Sequence, residues 1–152
     1  MPKSLTRSNS VYTFRNPKGD PFCYSPKHNP ILEIIGLVLW ATEGDKTQVS
    51  LANGNIHIIK KYLEFLRTVC HLQEKKIKVV IHCHDTIPYT KCVKYWSQIT
   101  GIPSHRFNKP FIKKDKGGSR NFSYGICRIV ASNSKLVAIF KDRLKAIGLE
   151  RD

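Results

Sequence analysis

Acidic residues are scarce in this chain of 152 residues, which has 11 Asp and Glu against 26 Lys and Arg and a formal net charge of +15. Such an excess of positive charge repels itself unless an anionic partner neutralises it. Nucleic acid is the commonest such partner; a ribosomal, a membrane-surface or a merely basic protein is the alternative. With 41% hydrophobic and 10% aromatic residues, the chain is expected to form one globular domain.

Long hydrophobic runs are also missing. The longest, Ile34 to Ala41, is too short to cross a bilayer, so no membrane association is expected. The N-terminal MPKSLTRSNS has charge but no apolar segment, so we expect no signal peptide and a location in the cytoplasm or an organellar matrix.

Several chemical motifs are absent as well. The five cysteines are odd in number and contain no CxxC pair, which predicts buried thiols in a reducing compartment. The glycine-containing segment DKGGSRN lacks the order of a Walker phosphate loop, and no Ser/His/Asp nucleophile set is recognisable.

The first half of the chain predicts two helices around a short strand. Asn29 and Pro30 suit the start of a helix that runs to about Glu43, and Gly44 is expected to take the left-handed conformation that often ends one. A strand follows in TQVSLAN, and Asn55 is expected to cap a second helix over IHIIKKYLEFLRTVC.

The second half predicts strands and two further helices. The segment KIKVVIHCHD alternates apolar and polar residues, apart from Val80, as a half-buried strand does. A helix is expected from Tyr89 to Ile99, a pair of strands over 107–114 and 123–132, and a last helix from Ser134 to Ile147.

These elements predict an α+β domain over residues 30–152, with a mostly antiparallel sheet and helices covering one face. Residues 1–29 are basic and rich in Pro, Ser and Asn. They are interpreted either as a flexible arm on nucleic acid or as an irregular lead-in that wraps the domain.

The uncovered face of the sheet is expected to be polar and basic. Long polar side chains there could contact phosphates and base edges of nucleic acid, whereas an ordinary solvated sheet face is the alternative. The residues assigned to this face are Gln48, Ser50, Lys76, Lys78, His82, His84, Lys109, Lys113, Tyr124 and Arg128, and the basic loop DKGGSRN adds Arg120.

His82 and His84 also allow a zinc interpretation, since alternate residues of a strand share a face. Cys83 would point to the opposite face and the spacing is not that of paired zinc ligands, so a polar or phosphate-contacting role is favoured.

The carboxylate of Glu43 is expected at the C-terminal end of the first helix, which is its negative pole. A carboxylate there, close to Asp45, is stabilised if a cation binds beside it. Mg²⁺ suits such a position because it takes one or two carboxylates together with waters and phosphate oxygens, and the terminal carbonyls near Gly44 could help.

The stretch IIGLVLWATEGD resembles the motif helix of the LAGLIDADG homing endonucleases. Leu39 falls at its second leucine, Glu43 at its metal-binding acid and Gly44 at its closing glycine, while Val38 and Thr42 stand where the family has smaller residues. The downstream series is similar to the compact single-motif branch over about residues 30–149: VSLAN, FLR, KIKVVIHCHD, YWSQITGIP, FIKK and YGICRI.

The resemblance implies the saddle-shaped antiparallel sheet of that fold and a homodimer, because this chain has a single motif. The motif helices of two subunits would pack together through Ile35, Val38, Leu39 and Thr42. The two copies of Glu43 would then hold Mg²⁺ beneath double-stranded DNA and cut both strands of a roughly palindromic site.

By the same resemblance, Lys113 and Lys114 are candidates for the basic residue near the scissile phosphate, and Gln48 for positioning water. The implied function is that of a homing endonuclease of the kind encoded in mobile introns. A non-cleaving DNA-binding regulator and an RNA-binding splicing helper of the same fold are the alternatives.

Overall fold

The computed structural model describes residues 5–8, 11–15, 21–114 and 123–149. In these ranges the chain forms seven strands and four α-helices, and its class is α+β, as predicted. The elements are β1 (Leu5–Ser8), β2 (Val11–Arg15), β3 (Pro21–Tyr24), α1 (Pro30–Glu43), β4 (Leu51–Asn53), α2 (Ile56–Thr68), β5 (Lys78–His84), α3 (Tyr89–Thr100), β6 (Phe111–Lys113), β7 (Ile126–Val130) and α4 (Ser134–Ala146).

Asparagine side chains begin three of the four helices. Asn29 accepts a hydrogen bond from the backbone N–H of Leu32 at 3.0 Å, and Asn55 accepts one from that of His57 at 2.8 Å. Asn133 does the same for α4. Each side chain satisfies a backbone donor that has no partner within its helix, so the predicted starts of α1 and α2 are confirmed.

The predicted left-handed end of α1 at Gly44 is wrong. Gly44 is extended, with φ −88° and ψ 168°, and forms an isolated antiparallel bridge with Leu51. A Cβ at this position would lie 2.6 Å from the carbonyl oxygen of Trp40. Glycine is therefore needed here for space rather than for a positive φ.

Residues 1–29 contribute β1, β2 and β3, which form a three-stranded antiparallel sheet. The ring of Tyr24, at the end of β3, is fully buried in the main core. The role of this segment as an arm, and the domain boundary at residue 29, stay predictions.

The main sheet has the strand order β4-β7-β5-β6. β7 pairs antiparallel with both β4 and β5, whereas β5 and β6 are parallel. The prediction that segments 107–114 and 123–132 pair with each other is wrong, because β5 lies between them. The sheet is thus mixed, with two antiparallel pairings and one parallel pairing.

The buried side of the sheet joins the helices in one core. Val79, Ile81 and Cys83 of β5 alternate into this core, where α3 contacts the strand. Of the helices, α1 and α2 contact β4. Phe65 and Phe140 pack with their ring centroids 5.4 Å apart, which joins α2 to α4.

The cysteines are mostly buried thiols, as their number and pattern predict. All five are free thiols; four are buried, and Cys23 is half-buried. Burial raises the pKa of Cys92 to about 11, so the neutral thiol is favoured there.

Candidate active site and nucleic-acid face

A cleft of about 260 Å³ opens at the C-terminal end of α1. It brings together Glu43 and Asp45 from the end of the helix, His82 from β5 and Arg128 from β7. Gly44, Ser50, Leu51 and Ala52 complete its lining. Two carboxylates, an imidazole and a guanidinium therefore meet where the helix reaches the sheet.

Glu43 is the carboxylate of this cleft that is available to a ligand. Its side chain is exposed and makes no hydrogen bond or ion pair with any residue of the described ranges. The last turn of α1 contains no basic residue that would offset the negative pole of the helix. The free carboxylate and the helix end thus favour a cation at the same place.

Asp45 is held by its neighbours. Its Oδ1 accepts hydrogen bonds from the backbone N–H of Thr47 at 2.9 Å and from the Thr47 hydroxyl at 3.0 Å. Its Oδ2 lies 3.7 Å from Nη2 of Arg128. Both partners are about one third exposed, so this ion pair is solvent-screened and its guanidinium can also contact an anion in the cleft.

Gln48 and Ser50 brace the loop that follows α1. The carbonyl of Gln48 accepts a hydrogen bond from Nε1 of Trp40 at 2.8 Å, and its side-chain oxygen accepts one from the Ser50 hydroxyl at 3.1 Å. Gln48 is not among the residues that line the cleft. Ser50 is 1% exposed and also accepts from the N–H of Ala131, so its predicted place on an exposed strand face is wrong.

His82 is stacked on Phe111, with ring centroids 5.1 Å apart and planes 12° from parallel. Burial, followed by the positive charges of Arg128 and Lys113, lowers the pKa of His82 and favours its neutral form. Its Nε2 is buried and has no hydrogen-bond partner among the described residues.

Cys83 lies on the opposite side of β5 from the two histidines, as predicted. His82 and His84 share the uncovered face of β5, whereas Cys83 is 3% exposed and packs in the core. Within the described ranges, no three His, Cys, Asp or Glu residues are grouped as a zinc site built from protein ligands alone would need.

The uncovered face of the sheet is less polar than predicted. Lys78, His82 and His84 of β5 and Arg128 of β7 do alternate onto it. Between them lie apolar side chains that are half-buried rather than exposed, namely Ala52, Val80, Ile126 and Val130. The face is therefore an apolar strip with basic residues along it.

The other residues predicted on this face lie around it. Lys76 is exposed in a 3₁₀ turn before β5, and Lys109 is exposed in the segment before β6, so neither lies on a strand. Tyr124 precedes β7 and stacks on Tyr95 with ring centroids 4.0 Å apart. Arg120 lies outside the described residues.

The two candidate lysines are not among the residues that line the cleft. Lys113 ends β6 opposite His84 in the parallel register, and Lys114 follows it; both are exposed, and neither lines the cleft. Arg128 does line it, although the sequence suggested only a DNA contact for this residue. The alternation of ICRIV gives its face, but its distance from Glu43 depends on β7 lying between β4 and β5.

One side of α1 carries exposed apolar residues. Ile31, Ile34 and Ile35 are 71%, 47% and 36% exposed, and Val38 and Thr42 continue the same side at spacings of three and four residues. The hydroxyl of Thr42 donates to the carbonyl of Val38 at 2.8 Å. Thr42 can thus enter an apolar contact without an unsatisfied hydroxyl.

Leu39 differs from the other three residues predicted for the dimer contact. It is half-buried and packs against the core of its own chain. Ile35, Val38 and Thr42 therefore form the outward part of the predicted contact, and Leu39 borders it.

Comparison of the chain with models of known protein families, with curated proteins and with solved structures finds no match. In the part of the chain that the structure describes, no helix is long and apolar enough to cross a membrane. The chemistry of the cleft and of the surfaces next to it is therefore the basis for assigning a function.

Proposed function

We propose that the protein is a Mg²⁺-dependent endonuclease that acts as a homodimer on a roughly palindromic site in double-stranded DNA. The observation that carries this proposal is the cleft at the end of α1, where the free carboxylate of Glu43 lies with Asp45 and Arg128. A cation-binding group and an anion-binding group in one cleft are what phosphodiester hydrolysis requires.

The donors of the cleft fit a hard cation. Glu43 offers a free carboxylate, Gly44 brings the backbone of the helix end into the same cleft, and the negative pole of α1 supports positive charge. One free carboxylate per chain matches an ion that completes its coordination with waters and phosphate oxygens. A bound Mg²⁺ would activate a water molecule and stabilise the leaving oxygen of the phosphodiester.

The basic residues have separate tasks in this proposal. Arg128 binds the scissile phosphate, because its guanidinium already lies in the cleft and its contact with Asp45 limits its orientations. Lys113, Lys114, Lys78 and Lys109 bind phosphates further along the duplex. Gln48 holds the loop of Asp45 rather than the attacking water, since its side chain bonds Ser50.

A second copy of the chain is the occupant that we assign to the exposed side of α1. Three exposed isoleucines and Val38 form a stripe that runs along the helix towards Glu43. Pairing two such stripes about a two-fold axis removes apolar surface from water and brings two copies of the cleft onto one duplex.

A non-cleaving DNA-binding regulator of the same fold is the second candidate. It is favoured by the engagement of Asp45 with Thr47 and Arg128, which leaves Glu43 as the free carboxylate of the cleft. An RNA-binding splicing helper would use the same basic strands without the cleft.

Selection from a duplex DNA library with a randomised central segment tests the proposal. Incubation with Mg²⁺ is expected to yield molecules cut at one related sequence, and chelation of the metal is expected to stop cutting. Glu43→Gln should lower the cutting rate by more than about 100-fold, because it removes the charge at the helix end while keeping the shape of the side chain.

Glu64→Gln is the matched control, since Glu64 is an exposed acid on α2 that pairs with Lys61 away from the cleft. It should cut as the unaltered protein does. Sequence-specific binding without cutting would replace the nuclease by the regulator, and binding of RNA alone would favour the splicing helper.

A further inference from the structure

The strand β6 presents an exposed aromatic ring at the end of the sheet. Phe111 is 62% exposed, although it is held in place by stacking on His82 and by the pairing of these two residues in the β5–β6 register. A large ring that is both exposed and oriented is a ready stacking surface.

Positive charge surrounds this ring. Lys109 precedes it by two residues, and Lys113 and Lys114 follow it by two and three; all three are exposed. The segment 107–114 contains no acidic residue. Lys113 shares the face of Phe111, since alternate residues of a strand point the same way.

A ligand that fits this surface must stack on an aromatic ring and carry negative charge for the surrounding lysines. Another β-strand is disfavoured, because β6 has three residues and lysines flank it, as at edges that resist strand addition. A nucleotide offers a flat base for Phe111 and a phosphate for the lysines. Bases in a duplex are already stacked on their neighbours, so the matching partner is an unpaired one.

We propose that Phe111 is a stacking platform for an unpaired nucleobase, and that Lys109, Lys113 and Lys114 hold the backbone of the same single strand. The proposal rests on the nucleic-acid partner of the proposed function but does not require cutting. It assigns the protein a second binding mode, in which these lysines hold single-stranded or locally opened nucleic acid in place of the duplex.

Fluorescence anisotropy of a labelled thymidine oligonucleotide, measured without divalent metal, tests the platform. Phe111→Leu keeps an apolar side chain but removes the ring, and should weaken binding of the single strand about 10-fold. Phe111→Trp should bind at least as tightly as the unaltered protein. Binding of a duplex of mixed sequence should change less than twofold in both variants.

Two control variants separate stacking from other effects. Ile112→Ala removes an exposed apolar side chain from the same strand, on the opposite side from Phe111, and should leave binding unchanged. Lys113→Gln should reduce the salt dependence of single-strand binding by about 0.7 in the slope of log affinity against log salt, whereas Phe111→Leu should not alter that slope. Far-UV circular dichroism verifies that each variant is folded.

Several results would overturn the platform. These are unchanged single-strand binding by Phe111→Leu, equal losses for single strand and duplex, or no single-strand binding by the unaltered protein. A uridine oligoribonucleotide of the same length distinguishes RNA from DNA as the source of the base. No cutting is measured in this experiment. A negative result for Phe111 therefore does not affect the proposed role of Glu43, and a negative result for Glu43→Gln does not affect the stacking platform.

Discussion

At the scale of single residues, Glu33 shows how α1 is fixed to the rest of the protein. It is 3% exposed, and its carboxylate accepts two hydrogen bonds from Arg143 of α4, at 2.7 and 2.9 Å, and one from the Tyr24 hydroxyl at 2.7 Å. Burial above all, together with the negative charge of Glu33, raises the pKa of Tyr24. Tyr24 therefore stays protonated and donates.

Arg143→Met should lower the free energy of unfolding by about 3–5 kcal/mol, because it leaves the charge of Glu33 buried without its cation. Glu33→Gln/Arg143→Met should be more stable than Arg143→Met alone, since glutamine removes the charge and still accepts from Tyr24. Urea unfolding followed by circular dichroism measures both. Equal stability of the single and the double variant would show that Arg143→Met does not leave the charge of Glu33 buried and unpaired.

The residues of the cleft differ in how far the sequence predicts them. Glu43 follows from the helix pattern, because a local spacing fixes where the helix ends. Arg128 is near Glu43 only through the order of the strands, and Ser50 is buried only because the loop folds back onto Ala131. Contacts between distant segments are not encoded in a local pattern.

At the scale of elements, α1 serves two surfaces with one sequence. Leu32, Leu37 and Trp40 are buried in the core of the chain, whereas Ile31, Ile34 and other apolar residues remain exposed. Few polar residues separate the two sides, which explains why the helix has no clear polar face in the sequence. The exposed side gives the proposed dimer its contact.

Val38→Asp should weaken self-association by about 100-fold or more, because a dimer would have to bury the new charge. Sedimentation velocity over a range of concentrations measures the change. Gln98→Asp adds the same charge on the exposed surface of α3 and should leave the association constant unaltered. If both variants associate equally, the contact between subunits lies elsewhere.

In the main sheet, the sequence predicts the strands and their faces but not the order of the strands. The alternation in KIKVVIHCHD predicts β5 and its two faces, and the caps predict the helices, since both depend on neighbouring residues. The placement of β5 between β6 and β7 depends on the path of the chain through α3. Two strands that follow each other closely in the sequence look like a hairpin whether or not they pair in the sheet.

At the scale of the whole molecule, the net positive charge and the proposed two-fold symmetry both suit binding to a DNA duplex. An anionic partner would offset the net charge of +15, and in the proposed dimer two chains on one duplex would place their basic strands along both halves of a site. The two clefts of the proposed dimer would then act on opposite strands. The proposed function thus predicts a division of labour, with each Glu43 responsible for one cut.

The most direct measurement uses a mixed dimer on a supercoiled plasmid that carries the selected site. Subunits with different affinity tags are co-expressed, one unaltered and one with Glu43→Gln, and the dimer holding both tags is isolated. The proposal predicts nicked circles from the mixed dimer, linear plasmid from the unaltered dimer, and uncut plasmid from the doubly altered dimer. Linear plasmid from the mixed dimer would contradict it, and so would cutting by the doubly altered dimer at more than about one hundredth of the unaltered rate.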